Sequence, residues 1–224
     1  MRRFRLLAPV LLVLLGVVPA AAGICRLVTL ATGEVTPETA RFFNAPVPMV
    51  LHILAVVPYS LLGALQFAPS LRRHRWHRIA GRFLLPLSLV VALTGLWMTL
   101  FYPWPALDGW VVYVTRLIVG VAMTASIALG SVALVRRDFT THGDWMTRAY
   151  ALGMGAGTQV FTHLPWTLTV GMPGPTGRAI AMAAGWVINA LVAEYLIRRG
   201  RQPKPYSSRS AFSGSIFEAR SAGR

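Results

Sequence analysis

Six long apolar runs divide the chain, and short polar stretches separate them. The runs cover residues of about 6–27, 47–68, 83–102, 110–135, 145–170 and 179–197. Each is close to the roughly 20 residues that a helix needs to cross a bilayer. Because the runs are apolar throughout and do not alternate, they predict helices and not barrel strands. The pattern therefore predicts an all-α, polytopic transmembrane helix bundle of about six helices over residues 1–200.

Composition and charge agree with a membrane protein. Hydrophobic residues make up 55% of the chain and charged residues 13%, whereas a soluble domain carries roughly 25% charged residues. A net charge of +15 is often a sign of nucleic-acid binding. Here the arginines stand at the ends of the apolar runs, where they set topology. We therefore expect the lipid bilayer as the partner, and no nucleic acid.

The basic residues fall mainly on one side of the predicted bundle. Eighteen lie before the first run, between the second and third, on either flank of the loop between the fourth and fifth, or after the sixth. The loops on the opposite side hold three, namely Arg26, Arg41 and Arg178. Because Lys and Arg are enriched in cytoplasmic loops, the asymmetry predicts a multi-pass protein of the inner (cytoplasmic) membrane with both termini in the cytoplasm.

The two ends of the chain carry separate predictions. The first run contains Ala20-Ala21-Ala22, so a cleavable signal peptide is an alternative interpretation. Because the apolar run continues through Cys25, we favour a retained helix. Residues 201–224 are rich in Ser, Arg and Gly, which predicts a disordered, basic cytoplasmic tail. Such a tail is expected to lie along anionic lipid headgroups.

A polar cluster is predicted near the outer face of the bundle. His52, Arg116 and His163 lie a few residues inside the outer ends of three different runs, about 7–11 Å below the interface. Gln159 stands four residues before His163 and shares its helix face. Ionisable side chains at this depth are costly and usually mark a functional site or a structural pair.

Three interpretations of this outer cluster are open. His52 and His163 would serve as axial iron ligands of a haem b, with Arg116 pairing with a propionate, or would exchange protons beside a quinone. The same residues would also suit a substrate or proton site of a transporter. A hydrogen-bonded layer that holds three helices in register explains them without any cofactor.

A second, weaker cluster is predicted at the cytoplasmic side. His77 and Arg82 precede the third run, and His142 and Arg148 flank the start of the fifth. Arg at such boundaries is an ordinary interfacial anchor, or binds an anionic headgroup or phosphate. His142 stands 21 residues before His163, which is about 32 Å along a helix. The two clusters would therefore be separate sites.

Three motifs stand out in the middle of the chain: GALQF at 63–67, HRIAGR at 77–82 and HGDWMTRAY at 142–150. Together with His52 and His163 they resemble a family of predicted bacterial membrane proteins that is catalogued as a domain of unknown function. The resemblance covers about residues 48–195. It implies a bacterial source, which the 21 Arg against 1 Lys also favour, but no activity.

A more distant likeness is to the diheme cytochrome b membrane proteins, which carry electrons across membranes through histidine-bearing helices. That likeness implies two haems within one bilayer. In those proteins the ligand histidines of one helix are closer together than His142 and His163 are here. The departure weakens the case for an inner haem more than for an outer one.

The leading functional hypothesis is a redox-associated membrane protein that binds haem b or a quinone near the outer face. The alternatives are a transporter or permease-like subunit, and a non-catalytic membrane scaffold or assembly factor. The sequence contains no Ser-His-Asp set, P-loop, HExxH or CxxC motif, so no enzyme class follows from it.

Overall fold

The computed structural model describes residues 4–33, 35–71, 74–169 and 171–202, and these residues form eight helices and no strand. The helices are α1 Phe4–Thr32, α2 Ala40–Asn44, α3 Pro46–Leu65, α4 Arg75–Phe101, α5 Trp110–Val135, α6 Phe139–Gly153, α7 Gly155–Thr169 and α8 Pro175–Arg201. The prediction of an all-α bundle is thus confirmed. Most of the predicted tail, residues 203–224, lies outside the described residues.

The helices make about six crossings. Five of them, α1, α3, α4, α5 and α8, are long and apolar enough to span a membrane singly. α5 has the predicted bounds, whereas α4 begins eight residues before the predicted run and includes His77 and Arg82. α6 and α7 have 15 residues each. They form the remaining crossing together, where the sequence predicts one helix over 145–170.

The crossings form a ring around a central space. α1 packs against α3, α3 against α4, α4 against α5 and α5 against α6; α8 packs along both α6 and α7, and α7 returns to α1. Large apolar side chains such as Leu14, Val121 and Leu191 are exposed on the outside of the ring. An apolar surface of this extent is not stable in water, so it is the surface that contacts lipid.

The crossing made by α6 and α7 is interrupted at Met154, near the middle of the bundle. Here the Gly157 N–H donates to the Met154 carbonyl at a spacing of three residues. Small residues let neighbours approach closely. A Cβ at Gly155 would lie 2.0 Å from Trp186 Nε1, and a Cβ at Gly157 would lie 2.4 Å from the Leu15 carbonyl oxygen. The interruption is therefore held by close packing against α8 and α1.

Asn189 of α8 joins the two parts of the interrupted helix. Its Nδ2 donates to the Ala151 carbonyl at 2.9 Å, and its Oδ1 accepts from Thr158 Oγ1 at 2.7 Å. In an unbroken helix the Ala151 carbonyl would accept from the Gly155 N–H. Because an unpaired backbone group is costly in lipid, Asn189 makes the interruption tolerable.

Aromatic side chains fill the bundle on one side of the interruption. The Tyr150 ring packs edge-on against Tyr59, with centroids 5.6 Å apart, and lies 5.0 Å from Phe67. The Tyr150 hydroxyl donates to the Ser60 carbonyl at 2.6 Å. A Cβ at Gly63 would meet the Tyr150 ring at 2.6 Å. This half of the bundle, toward His142, is therefore tightly packed, and the open space lies in the other half.

Candidate binding cavity

A cavity of about 510 Å³ occupies the other half of the bundle and is called the central cavity below. Ser60, Met123 and Met154 line its floor at the level of the interrupted helix, and Pro103 and Asp108 lie at its mouth. Every crossing contributes to its wall, which is mainly apolar, whereas the charged side chains gather at the mouth. Small-molecule sites commonly have this volume and this division between apolar wall and few polar groups.

Asp108 stands at the mouth and holds two arginines. Its side chain is only 3% exposed; Arg178 Nε lies 2.7 Å from Oδ1, and Arg116 Nη1 lies 2.6 Å from Oδ2. Arg116 belongs to α5 and Arg178 to α8, whereas Asp108 lies in the connection between α4 and α5. Because a buried carboxylate needs partners to offset its desolvation, this triad fastens three parts of the bundle together.

Arg41 adds a positive charge that Asp108 does not neutralise. Its Nη1 donates to the Pro103 carbonyl at 3.2 Å, and its guanidinium lies 4.6 Å from the centre of the Phe42 ring. Its Nε is buried without a hydrogen-bond partner. Burial, followed by the neighbouring cation Arg116, lowers the pKa of Arg41 from its ordinary value. Since arginine nevertheless stays charged at neutral pH, the mouth carries a surplus of positive charge.

His52 of α3 lies on the wall of the same cavity. Its Nδ1 is 2.9 Å from Thr94 Oγ1, and that hydroxyl donates to the Val90 carbonyl at 2.6 Å. Because the hydroxyl proton is already engaged, Thr94 accepts and His52 Nδ1 donates. The second ring nitrogen of a neutral His52, Nε2, then offers a lone pair. A ring fixed in this way is suited to bind a metal or to accept a hydrogen bond.

The other two residues of the predicted outer cluster lie on α7 and differ in position. Gln159 lines the central cavity, and its Nε2 donates to the Met182 carbonyl at 3.1 Å. His163 is not among the residues that line the cavity. Its Nδ1 donates to the Gln159 carbonyl at 2.7 Å, and its buried Nε2 has no hydrogen-bond partner. The structure therefore brings His52, Arg116 and Gln159 to one cavity and leaves His163 outside its wall.

The residues of the predicted inner cluster lie toward the opposite end of the bundle. Arg148 forms a two-point ion pair with Glu194 of α8, at 2.5 and 3.0 Å. His142 Nδ1 donates to a carbonyl of α5 at 2.8 Å. On α4, Arg82 is exposed and His77 is half-buried. The contacts of Arg148 and His142 fasten α6 to α8 and α5, which is a structural role.

The sequence does not predict a role for Asp108, and it predicts Arg41 and Arg178 only as charges of the outer loops. One signal was present, because Asp108 stands eight residues before Arg116, a separation of about two helical turns. An acid so close to a membrane-embedded arginine is a natural counter-ion. Arg41 and Arg178 come from distant segments, and only the fold brings them to the mouth.

Replacing Asp108 with Asn should destabilise the protein, because Arg116 and Arg178 would lose their shared counter-ion. We expect the free energy of unfolding to fall by about 2 kcal/mol. This is less than the 3–5 kcal/mol typical of breaking a fully buried pair, because the side chains of Arg116 and Arg178 are 29% and 30% exposed. The measurement is the unfolding of purified, detergent-solubilised protein by denaturant.

Asp144→Asn provides the matched control for that variant. Asp144 pairs with Arg201, whose side chain is 58% exposed, so its loss should cost less than about 1 kcal/mol. If Asp108→Asn lowered the free energy of unfolding by no more than Asp144→Asn does, the triad would have no special part in holding the mouth together.

Comparisons with known proteins agree with the apolar, membrane-spanning character of the bundle. Residues 49–197 match the model of a family described as "Predicted membrane protein (DUF2306)". No curated protein and no solved structure gives a match, and the likeness to diheme cytochromes b stays a prediction. The matched stretch contains α4 to α7 whole and covers two thirds of the chain. The chain therefore belongs to this family of predicted membrane proteins.

Proposed function

We propose that this protein is a binding protein of the permease type, which takes a small, mainly apolar molecule into its central cavity from one face of the membrane. The cavity itself carries the proposal. It has a volume of about 510 Å³ and a mainly apolar wall, which is typical of sites for small organic ligands. A scaffold or assembly factor has no need of such a space.

The interrupted helix favours a permease over a static receptor. Transporters commonly place discontinuous helices at a binding site near the middle of the bilayer. Here Gly153, Met154 and Gly157 all line the central cavity. A change in the angle between α6 and α7 would therefore act directly on the cavity floor, where Tyr59 and Tyr150 close the path to the other side.

The distribution of arginine supports a bacterial inner membrane with the cavity mouth on its external face and both termini in the cytoplasm. Most described arginines lie toward the end opposite the mouth, where the positive-inside rule expects them: Arg75, Arg78, Arg82, Arg136, Arg137, Arg148, Arg198, Arg199 and Arg201. At that end Arg198 and Arg199 border a shallow depression beside Tyr195. Its charge suits anionic lipid headgroups.

Blocking the cavity should abolish ligand binding. A Cβ at Gly95, which lines the cavity, would lie 3.6 Å from His52 Cε1, an ordinary contact, so Gly95→Leu adds a large side chain at the cavity wall without a clash at Cβ. We expect tritiated decanol to bind wild-type protein in nanodiscs saturably and at one molecule per chain, and Gly95→Leu to lose at least about 90% of this binding, since the same space cannot hold both groups. A scintillation proximity assay measures the bound decanol, with the signal from empty nanodiscs subtracted.

The control is Ala128→Leu, which adds a similar side chain at an exposed position of α5. Decanol binding should be unchanged in that variant. Binding that survives in Gly95→Leu as well as in Ala128→Leu would place the decanol in the surrounding lipid and contradict the proposal.

A redox cofactor at His52 is the second candidate function, and the defined tautomer of His52 favours it. A haem b would need His52 as its iron ligand, with Arg41 or Arg116 available to a propionate; a quinone would need only a hydrogen bond to the ring. Because His163 does not line the cavity, it does not supply a second iron ligand there. Within the described residues no group of three His, Cys, Asp or Glu side chains suits a metal ion, but a haem requires no such group.

A dithionite-reduced minus air-oxidised visible spectrum tests the haem form of this candidate. If His52 holds a haem, the purified protein should show sharp α and Soret differences that His52→Ala abolishes, because the iron loses its ligand. His74→Ala is the control, since His74 is exposed at the start of α4 and should leave the spectrum intact. A featureless spectrum from folded protein made with ample haem would remove the haem form.

A further inference from the structure

The charges at the mouth of the central cavity do not balance. Arg41, Arg116 and Arg178 line the mouth, and Asp108 is the one acidic side chain among the described residues that line the cavity. Arg26 adds a further cation nearby, 5.0 Å from the centre of the Phe42 ring. The cavity itself therefore carries an excess of two positive charges. Such an excess in a partly enclosed site attracts anions.

One of the two excess charges can be assigned to Arg41, and the other is shared by Arg116 and Arg178, which have a single carboxylate between them. Each oxygen of Asp108 already lies within ion-pair distance of another arginine, Oδ1 of Arg178 and Oδ2 of Arg116. Arg41 makes no ion pair within the part of the chain that the structure describes, and its Nε is buried without an acceptor. A guanidinium presents its donors in a planar fork that matches a carboxylate or a phosphate. Arg41 is thus a recognition group that has no anionic partner among the described residues.

The cavity wall beneath Arg41 determines the chemical character of the rest of the ligand. Below the mouth the wall consists mainly of apolar and small residues, among them Gly23, Ile53, Ala92, Met98 and Val119. An inorganic anion would satisfy the arginine and leave this apolar wall uncovered. A neutral apolar molecule would cover the wall and leave the arginine unsatisfied. Only an amphiphile with an anionic head does both.

We infer that the central cavity takes an amphiphile with one carboxylate or phosphate head, and that Arg41 binds this head while the apolar body fills the space below. The inference rests on the proposed function and names the chemical class of its ligand. Asp108 keeps Arg116 and Arg178 in place, so their charges draw the head toward the mouth. The occupant is either a free single-chain amphiphile or a resident anionic lipid, which share this chemistry.

The test measures three ten-carbon probes on the protein in nanodiscs of zwitterionic lipid: decanoate, decyl phosphate and decanol. Wild-type protein should bind both anionic probes at least about tenfold more tightly than decanol, since a charge-assisted hydrogen bond is lost with the neutral head. Arg41→Gln should remove this preference and leave the affinity for decanol within about twofold. Arg41→Lys, which keeps the charge without the fork, should retain part of it.

Arg26→Gln is the matched control, because it removes the same charge from an exposed residue at the same end that does not line the cavity. It should change the affinity for decanoate by less than about threefold, as expected for a screened surface charge. Equal affinity for decanoate and decanol in wild-type protein, or equal losses in Arg26→Gln and Arg41→Gln, would overturn the inference. The wild-type comparison decides it even if Arg41→Gln fails to fold.

The remaining outcomes distinguish failure of the inference from failure of the proposed function. They also show whether the anionic head belongs to a lipid or to a free amphiphile. If none of the three probes binds, the proposed function fails. If all bind equally, only the inference fails. If inorganic phosphate competes with decanoate as strongly as decyl phosphate does, the inference that the ligand is an amphiphile is overturned. Replacing part of the zwitterionic lipid with phosphatidylglycerol assigns the occupant: strong competition with decanoate identifies a resident anionic lipid, and no competition identifies a free amphiphile. Both results support the inferred chemistry.

Discussion

The buried carboxylate of Asp108 is the interaction on which the open half of the bundle depends. Three arginines line this end, and without an acid they would repel one another and separate the helices that carry them. Asp108 takes one guanidinium from α5 and one from α8, two helices on the same side of the ring. It thereby joins these two helices at the mouth. Because its two oxygens serve two arginines, the third, Arg41, is left without a carboxylate partner among the described residues.

The interrupted crossing and the aromatic packing determine how deep the cavity is. Tyr59 and Tyr150 occupy the half toward His142, and glycines on α3 and α6 make room for their rings. At the interruption Asn189 supplies a donor to the freed carbonyl, so the chain changes direction in lipid without an unpaired group. Cavity, mouth and interruption therefore depend on α8, which contributes Arg178 to the mouth and Asn189 to the interruption.

The number of crossings could be predicted because the thickness of the bilayer imposes it on the sequence. The interruption at Met154 could not, because Gly153, Gly155 and Gly157 are also typical of a continuous helix that packs closely. Its cause lies in Trp186 and Asn189, about 30 residues further along the chain. The charges before residue 83 interrupt the apolar run and so predict a loop, yet these residues belong to α4, because helix formation does not require apolar residues.

The candidate site was harder to predict than the fold for a geometric reason. Counting residues from the end of a helix gives depth in the membrane, and so predicts one level for His52, Arg116 and His163. It gives no direction around the helix axis, and so could not show that His163 lies outside the cavity wall. Nor could it show that Arg41, on the short helix α2, turns toward the mouth. These facts come from packing between distant segments.

Photolabelling tests most directly the central claim that an anionic amphiphile occupies the central cavity. A decanoate that carries a diazirine near the end of its chain would be irradiated with the protein in nanodiscs, and the modified residues would be identified by mass spectrometry. The account predicts adducts on cavity residues such as Met98, Met123 or Trp186, which excess unlabelled decanoate suppresses. Adducts confined to lipid-facing residues such as Leu129 and Leu191, unaffected by competitor, would contradict it.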